Sequence, residues 1–130
     1  MDSNLLLDVF EPDAEWYEWS AECLVRCATY GRLVIDHVVF AEVSVGFSSI
    51  ETLDQKLPPS LYERAPLPWE AAFLASKAFM EYRRAGGARR SPLPDFFIGA
   101  HALVEGLTLL TRDPRRYRTY FPSLKLIAPA

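Results

Sequence analysis

The sequence predicts an α/β fold in which helices cover both faces of a central, mainly parallel sheet. Short apolar runs typical of buried strands, such as 32–36 and 107–111, alternate with longer amphipathic segments typical of helices. This alternation favours parallel pairing, because parallel strands need crossover connections. The chain has 130 residues, half of them hydrophobic, so a single domain spanning 1–130 is expected.

Capping residues and helix breakers predict the element boundaries. Asn4 is expected to cap the first helix, since its side-chain oxygen accepts from free N–H groups. Gly31 and Gly106 are expected to stop helices. The predicted helices are 4–10, 14–30, one carrying Glu42, 68–84 and one opening at Asp95. The predicted strands are 32–36, 62–67, 107–111 and 125–128, with loops at 54–61 and 85–92 and a short helical turn after Asp113.

The sequence gives no sign of a membrane segment or a disulfide framework. No apolar run approaches the roughly 18 residues that suggest a membrane span, and no basic segment of a signal peptide opens the chain. Cys23 and Cys27 lie one helical turn apart without a second ligand pair, so reduced thiols are favoured over a zinc site. A cytoplasmic protein is expected.

The charge of the chain is unevenly distributed. Net charge is −3, but residues 1–76 carry −9 and residues 77–130 carry +6. A basic half favours a polyanionic partner. A solvated helix face is the better explanation for any single arginine, but the clustering of the arginines favours a nucleic acid. The arginines expected to contact the phosphates of a nucleic acid are Arg89, Arg90, Arg112, Arg115 and Arg116.

Four acidic residues are poorly explained as ordinary surface charge. If 38–47 is a helix, the i±3 and i±4 neighbours of Glu42 are mainly valines, which centres its carboxylate on an apolar face. Ionised carboxylates in apolar surroundings need a compensating partner, and no matching set of buried cations is evident. A bound metal ion is therefore the expected partner. The four acids are Asp2, Glu42, Asp95 and Asp113.

Four short motifs follow one another along the chain, at 1–8, 41–43, 94–102 and 106–113. In this order and spacing they resemble the successive motifs of PIN-domain ribonucleases, above all the VapC-type toxins of toxin–antitoxin pairs. The resemblance implies a three-layer α/β/α sandwich, cleavage of RNA and a cognate antitoxin protein. Only Met1 precedes Asp2, where the family has a hydrophobic first strand, so that strand is expected to be truncated or to begin upstream.

The residue types at these positions suit a hard metal ion. Carboxylate and water oxygens are the ligands that Mg²⁺ and Mn²⁺ prefer, and such ions activate water and stabilise charge during phosphodiester hydrolysis. Since ligands in parallel sheets bind at the carboxyl ends of strands, the acids are expected to converge on one sheet edge. All four are expected metal ligands and catalytic residues, while Asn4 and Thr111 are expected to orient carboxylates or bound water.

Two other functional classes stay open. A phosphatase or phospho-acceptor domain usually carries paired acids after its first strand, whereas Asp2-Ser3-Asn4 has only one. A degenerate PIN domain would bind RNA or a protein partner without cutting, and the truncated first strand favours this alternative. A homodimer is also left open, because the Trp-bearing helix 14–30 suits either a core or a dimer surface.

Overall fold

Helices alternate with short parallel strands along the chain, which confirms the α/β class. The computed structural model describes residues 1–88 and 93–129. The chain forms two compact units, Met1–Pro66 with Pro129, and Leu67–Ala128. The expectation of a single domain stays a prediction.

The first unit contains four helices and two strands among its described residues. They are α1 (Ser3–Phe10), α2 (Tyr17–Tyr30), β1 (Leu33–Ile35), α3 (His37–Ser44), α4 (Ile50–Lys56) and β2 (Tyr62–Arg64).

Parallel pairing and an apolar core hold this unit together. β1 pairs in parallel with β2, with Leu33 opposite Tyr62, and α1 packs against α2 and α3. Inside the unit, the Ser20 hydroxyl donates a 2.8 Å hydrogen bond to the Asp8 carboxylate, which satisfies both buried polar groups. Fully buried side chains form the core: Leu5, Leu6, Ile35, Val39, Val43 and Leu53.

The second unit contains three helices and two strands among its described residues. They are α5 (Trp69–Arg84), α6 (Pro94–Val104), β3 (Leu109–Leu110), α7 (Arg115–Tyr120) and β4 (Leu126–Ile127). β3 pairs in parallel with β4, and α5 packs against α6.

Aromatic rings and one glycine bring the second unit's helices together. The Phe96 ring meets Tyr82 and Tyr120 edge-on, at centroid distances of 5.7 and 5.3 Å. A Cβ added at Gly99 would lie 2.7 Å from two ring carbons of Phe121, so only glycine permits this close packing. The chain turns after α6 at Gly106, whose φ of +67° suits glycine, as predicted.

Several predicted boundaries are wrong. Asn4 does not cap α1: Asp2 occupies the N-cap position with extended backbone, and Asn4 lies inside the first turn. The predicted loop 54–61 begins within α4, whose cap Ser49 accepts a 3.2 Å bond from the Thr52 amide. The strands are two or three residues long instead of four to six. Residues 89–92 of the predicted loop 85–92 lie outside the described residues.

Candidate active site and metal centre

Asp2 is the one predicted metal ligand that is buried, at 5% exposure. It immediately precedes α1 and occupies its N-cap position. The Asn4 side-chain amide donates a 3.3 Å hydrogen bond to Oδ2 of Asp2, which orients that carboxylate. The start of α1 also favours a negative charge through the helix dipole. Asp2 thus lies at the N-cap of α1, with its carboxylate oriented by Asn4.

Glu42 is connected to the same helix through a serine. Ser3 Oγ donates a 2.9 Å hydrogen bond to Glu42 Oε1 across the packed pair α1 and α3. The predicted apolar surroundings of Glu42 are wrong in part: Val39 is buried, but Val45 is 88% exposed. Glu42 is half-buried because it lies at the border of the apolar face of α3. Its carboxylate therefore accepts the Ser3 bond within a side chain that is only half-buried.

Asp36 is a buried acid to which the sequence analysis gave no role. It follows β1, is 5% exposed and caps α3 by accepting a 3.0 Å bond from the Val39 amide. The Met1 amino group lies nearby and donates a 2.9 Å hydrogen bond to the Val34 carbonyl oxygen. Burial lowers the pKa of that amino group, while the charges of Asp36 and Asp2 act to raise it. The position of Asp36 at the carboxyl end of a strand was the signal that sequence reasoning had available.

Asp95 in the second unit has a cationic partner. It lies in the first turn of α6, directly after Pro94, and its carboxylate is one-third exposed. Arg116 Nη1 donates a 3.1 Å hydrogen bond to Asp95 Oδ2. This partner lies 21 residues away on α7 and is 40% exposed, so it is not one of the buried cations whose absence the sequence analysis noted.

Asp113 is exposed, contrary to the buried position expected from the apolar run before it. Its side chain is 59% exposed, since the chain has already left β3, and Arg115 Nε lies 3.7 Å from its carboxylate. Thr111 is fully buried, and its hydroxyl accepts a 3.1 Å bond from the Asp113 amide. Thr111 therefore fixes the backbone that carries Asp113.

The predicted RNA-binding arginines differ in their availability. Arg115 is 91% exposed and Arg112 is half-buried, while Arg116 is 40% exposed and bonded to Asp95. Arg89 and Arg90 lie outside the described residues. Of the described arginines of this set, Arg115 has the most accessible guanidinium.

The donor chemistry of both units fits a hard divalent ion. Within either unit, the described residues hold no group of three or more His, Cys, Asp or Glu side chains placed to bind a metal. The candidate donors are carboxylates, which suit Mg²⁺ or Mn²⁺ and do not suit zinc. The two thiols are poor alternatives, because burial and then the neighbouring Cys27 raise the pKa of Cys23 to about 11. Carboxylates oriented by Ser3 and Asn4 are the residues best suited to hold a metal.

The chain is an α/β protein with parallel strands, and PIN domains belong to this class. Its candidate acids lie at the starts of α1 and α6, within α3 and after β3. The family model described as "PIN domain" matches residues 1–122, and the chain belongs to the PIN-domain family. PIN domains are generally nucleases.

Solved structures share this fold over nearly the whole chain. VapBC2 from Rickettsia felis, bound to a DNA fragment from their promoter, aligns over 99% of this chain and 96% of that one, with 22% identity and a TM-score of 0.70. VapBC-1 from nontypeable Haemophilus influenzae aligns over 98% and 94%, with 17% identity and a TM-score of 0.70. FitAcB from Neisseria gonorrhoeae aligns over 97% and 94%, with 16% identity and a TM-score of 0.69. These likenesses confirm the PIN-domain fold.

Two further findings concern the whole of the described chain. No curated protein matches it significantly. None of the helices in the described residues has the length and apolarity needed to span a membrane.

Proposed function

We propose that this protein is a metal-dependent endoribonuclease that hydrolyses RNA phosphodiester bonds, and that it is the toxin of a type II toxin–antitoxin system. One observation carries the proposal: in a chain of the PIN-domain family, Asp2 is buried next to Ser3, whose hydroxyl holds Glu42. The side chains of Asn4 and Ser3 orient these two carboxylates. Carboxylate oxygens are the ligands that Mg²⁺ and Mn²⁺ prefer, which supports a divalent cation at this position.

The proposed roles follow from the residue chemistry. Asp2, Glu42, Asp95 and Asp113 are proposed as ligands of Mg²⁺ or Mn²⁺, directly or through water. When bound, the metal supplies activation of water and stabilisation of charge on the phosphate oxygens. Ser3 and Asn4 orient carboxylates, and Thr111 positions the backbone of Asp113. The exposed Arg115, together with Arg112, Arg116, Arg89 and Arg90, is proposed to neutralise RNA phosphates.

An antitoxin protein is proposed as the regulatory partner. The related solved structures bear the names VapBC and FitAcB, and one of them is bound to a promoter DNA fragment. By analogy, the partner of this chain would cover the acidic site and hold it inactive. The proposal also includes the cytoplasmic location expected from the sequence and leaves a homodimer open.

A second candidate is a PIN domain that binds RNA or a protein without cleaving. The observation that favours it is the hydrogen-bonded ion pair between Arg116 and Asp95. A carboxylate that already has a cation beside it has less need of a metal. If this pairing persists in the presence of metal, Asp95 contributes to structure instead of catalysis.

Cleavage assays separate the two candidates. Purified protein, free of antitoxin, is incubated with structured RNA in Mg²⁺, Mn²⁺ or EDTA. Glu42→Gln and Asp95→Asn should each abolish cleavage, because the amides keep the size of the side chain and lose its charge. The matched control is Glu51→Gln, which alters an exposed acid in the first turn of α4. Cleavage that survives EDTA or both variants rejects the metal mechanism, whereas metal-independent RNA binding without cleavage supports the second candidate.

A further inference from the structure

A cavity of about 330 Å³ lies in the first unit, at the carboxyl ends of the parallel strands β1 and β2. Ligands of parallel α/β proteins bind beyond this end of the strands. The volume is at the lower end of the range of small-molecule sites, which limits the occupant to a compact group. The lining is mainly apolar and includes Ile35, Asp36, His37, Phe40, Arg64 and Pro66.

Two of these side chains, Arg64 and Phe40, contact each other and form one wall of the cavity. The Arg64 guanidinium lies over the Phe40 ring, 4.9 Å from its centroid. Its Nη2 also donates to Asp54 Oδ1 at 2.7 Å and to the Leu57 carbonyl oxygen at 3.2 Å. Because these bonds hold the guanidinium in place without a ligand, little side-chain freedom is lost when a flat group stacks against it.

The mainly apolar lining also includes two polar residues, His37 and Asp36. His37, the first residue of α3, is exposed at the rim, and its imidazole nitrogens suit hydrogen bonding. The buried Asp36 forms part of the wall, and its charge acts on the Met1 amino group together with that of Asp2. The cavity therefore borders the part of the unit where the acids lie.

We propose that this cavity binds one unpaired nucleobase of an RNA, and that it thereby selects a base close to the scissile phosphate. The inference deepens the proposed ribonuclease function and rests on it. A nucleobase has two apolar faces and a polar edge, which match the Arg64–Phe40 wall and the His37 rim. Unpaired RNA bases are commonly recognised by stacking on aromatic rings and arginine planes. An apolar side chain of a protein partner would leave the polar rim unused.

Abasic scanning of a bound RNA tests the inference. The full chain is kept in EDTA, so that binding is measured without metal-dependent cleavage. Fluorescein-labelled single-stranded oligoribonucleotides, each lacking one base at a different position, are titrated by fluorescence anisotropy. The cavity variants are Phe40→Leu, which removes the ring and keeps apolar bulk, and His37→Ala at the exposed rim. The matched control is Val45→Ala, an 88% exposed residue outside this cavity.

The inference predicts that removal of one particular base weakens binding about 10-fold in the wild type and in Val45→Ala. In Phe40→Leu the same removal should have an effect of about twofold or less, because the site for that base is already lost. His37→Ala should reduce the penalty partially. Thermal melts check folding, and His37→Ala decides the outcome if Phe40→Leu is unfolded, since His37 lies on the surface.

Each contrary result has a separate meaning. An abasic penalty that is unchanged in both cavity variants overturns the nucleobase assignment and leaves the proposed function standing. The nucleobase assignment is also overturned if the cavity variants weaken binding of a purified protein partner and leave RNA binding unchanged. Absence of RNA binding by the wild type in EDTA at low salt overturns the inference, whereas absence of cleavage in both Mg²⁺ and Mn²⁺ is the separate result that counts against the proposed function.

Discussion

Arg116→Ala should weaken the metal-free fold and tighten metal binding at the same time. In the structure its guanidinium lies 3.1 Å from Asp95, a proposed metal ligand, and 6.0 Å from the centre of the Phe96 ring. Removing the side chain takes away an attractive contact and also a positive charge that opposes a divalent cation. The two measurements should therefore change in opposite directions.

The magnitudes follow from the exposure of the pair. The side chains of Arg116 and Asp95 are 40% and 33% exposed, so solvent screens much of their attraction. Pairs of this kind contribute about 0.2–1 kcal/mol, and a distant ring contact adds at most about 0.5 kcal/mol. The free energy of unfolding in EDTA should fall by about 0.5–1 kcal/mol. If the same attraction competes with the metal, affinity should rise by about two- to fivefold.

Urea denaturation in EDTA and calorimetric titration with Mn²⁺ measure the two quantities. The matched control is Arg118→Ala, which removes an exposed arginine of the same helix α7. It should leave metal affinity nearly unchanged. Equal or weaker Mn²⁺ binding by Arg116→Ala would refute the reasoning, because it would show that the arginine does not compete for Asp95.

Three other predictions concern the whole fold. Millimolar Mg²⁺ or Mn²⁺ should raise the melting temperature, with about 2.7 kcal/mol gained when free metal exceeds its dissociation constant 100-fold, and calorimetry without binding would contradict this. The pKa of Cys23 is raised from 9.0 to about 11, so its contribution to stability is present below pH 9 and is lost as pH rises from about 9 to about 11. The urea midpoint should therefore fall less over this pH range in Cys23→Ala than in the wild type. Gly99→Ala should cost about 1–3 kcal/mol through the clash with Phe121, whereas Gly31→Ala, with nothing nearer than 4.0 Å, should be tolerated.

The order of helices and strands was predictable because it depends on local patterns. The four predicted strand segments contain all four described strands, and glycine at 106 marked the end of α6 correctly. The missed helix α4 has only seven residues, too short for its periodicity to stand out beside the prolines that follow it. Ser49, which caps α4, was the local sequence signal for this helix, but the segment that follows was interpreted as a loop.

The surroundings of the candidate acids were less predictable, since they depend on residues distant in sequence. Ser3 and Glu42 are 39 residues apart, and Arg116 and Asp95 are 21 apart, so neither contact follows from helical or strand spacing. The apolar run before Asp113 indicated burial, yet the chain turns into solvent after Thr111. Sequence motifs identified the family, but burial and partner charge required the tertiary structure.

The two units hold their acids in different ways, and this difference gives a prediction with opposite signs. The contacts seen for Glu42 include a neutral hydroxyl, whereas Asp95 is bonded to a guanidinium. In the metal-free protein, Glu42→Gln removes negative charge from a unit that also buries Asp2 and Asp36, and the amide oxygen still accepts from Ser3. Stability in EDTA should stay constant or rise by a few tenths of a kcal/mol, because repulsion between like charges is reduced.

Asp95→Asn should instead lower metal-free stability by about 0.2–1 kcal/mol, since it replaces the anionic partner of Arg116 with a neutral amide. Urea midpoints of both variants in EDTA, with Glu51→Gln as the control, measure the contrast. Two changes of the same sign would show that counter-charge does not distinguish the acids, and would remove the physical basis for treating the Arg116–Asp95 pair as a competitor of the metal. Opposite signs would mean that a bound metal must displace the Arg116 guanidinium from Asp95.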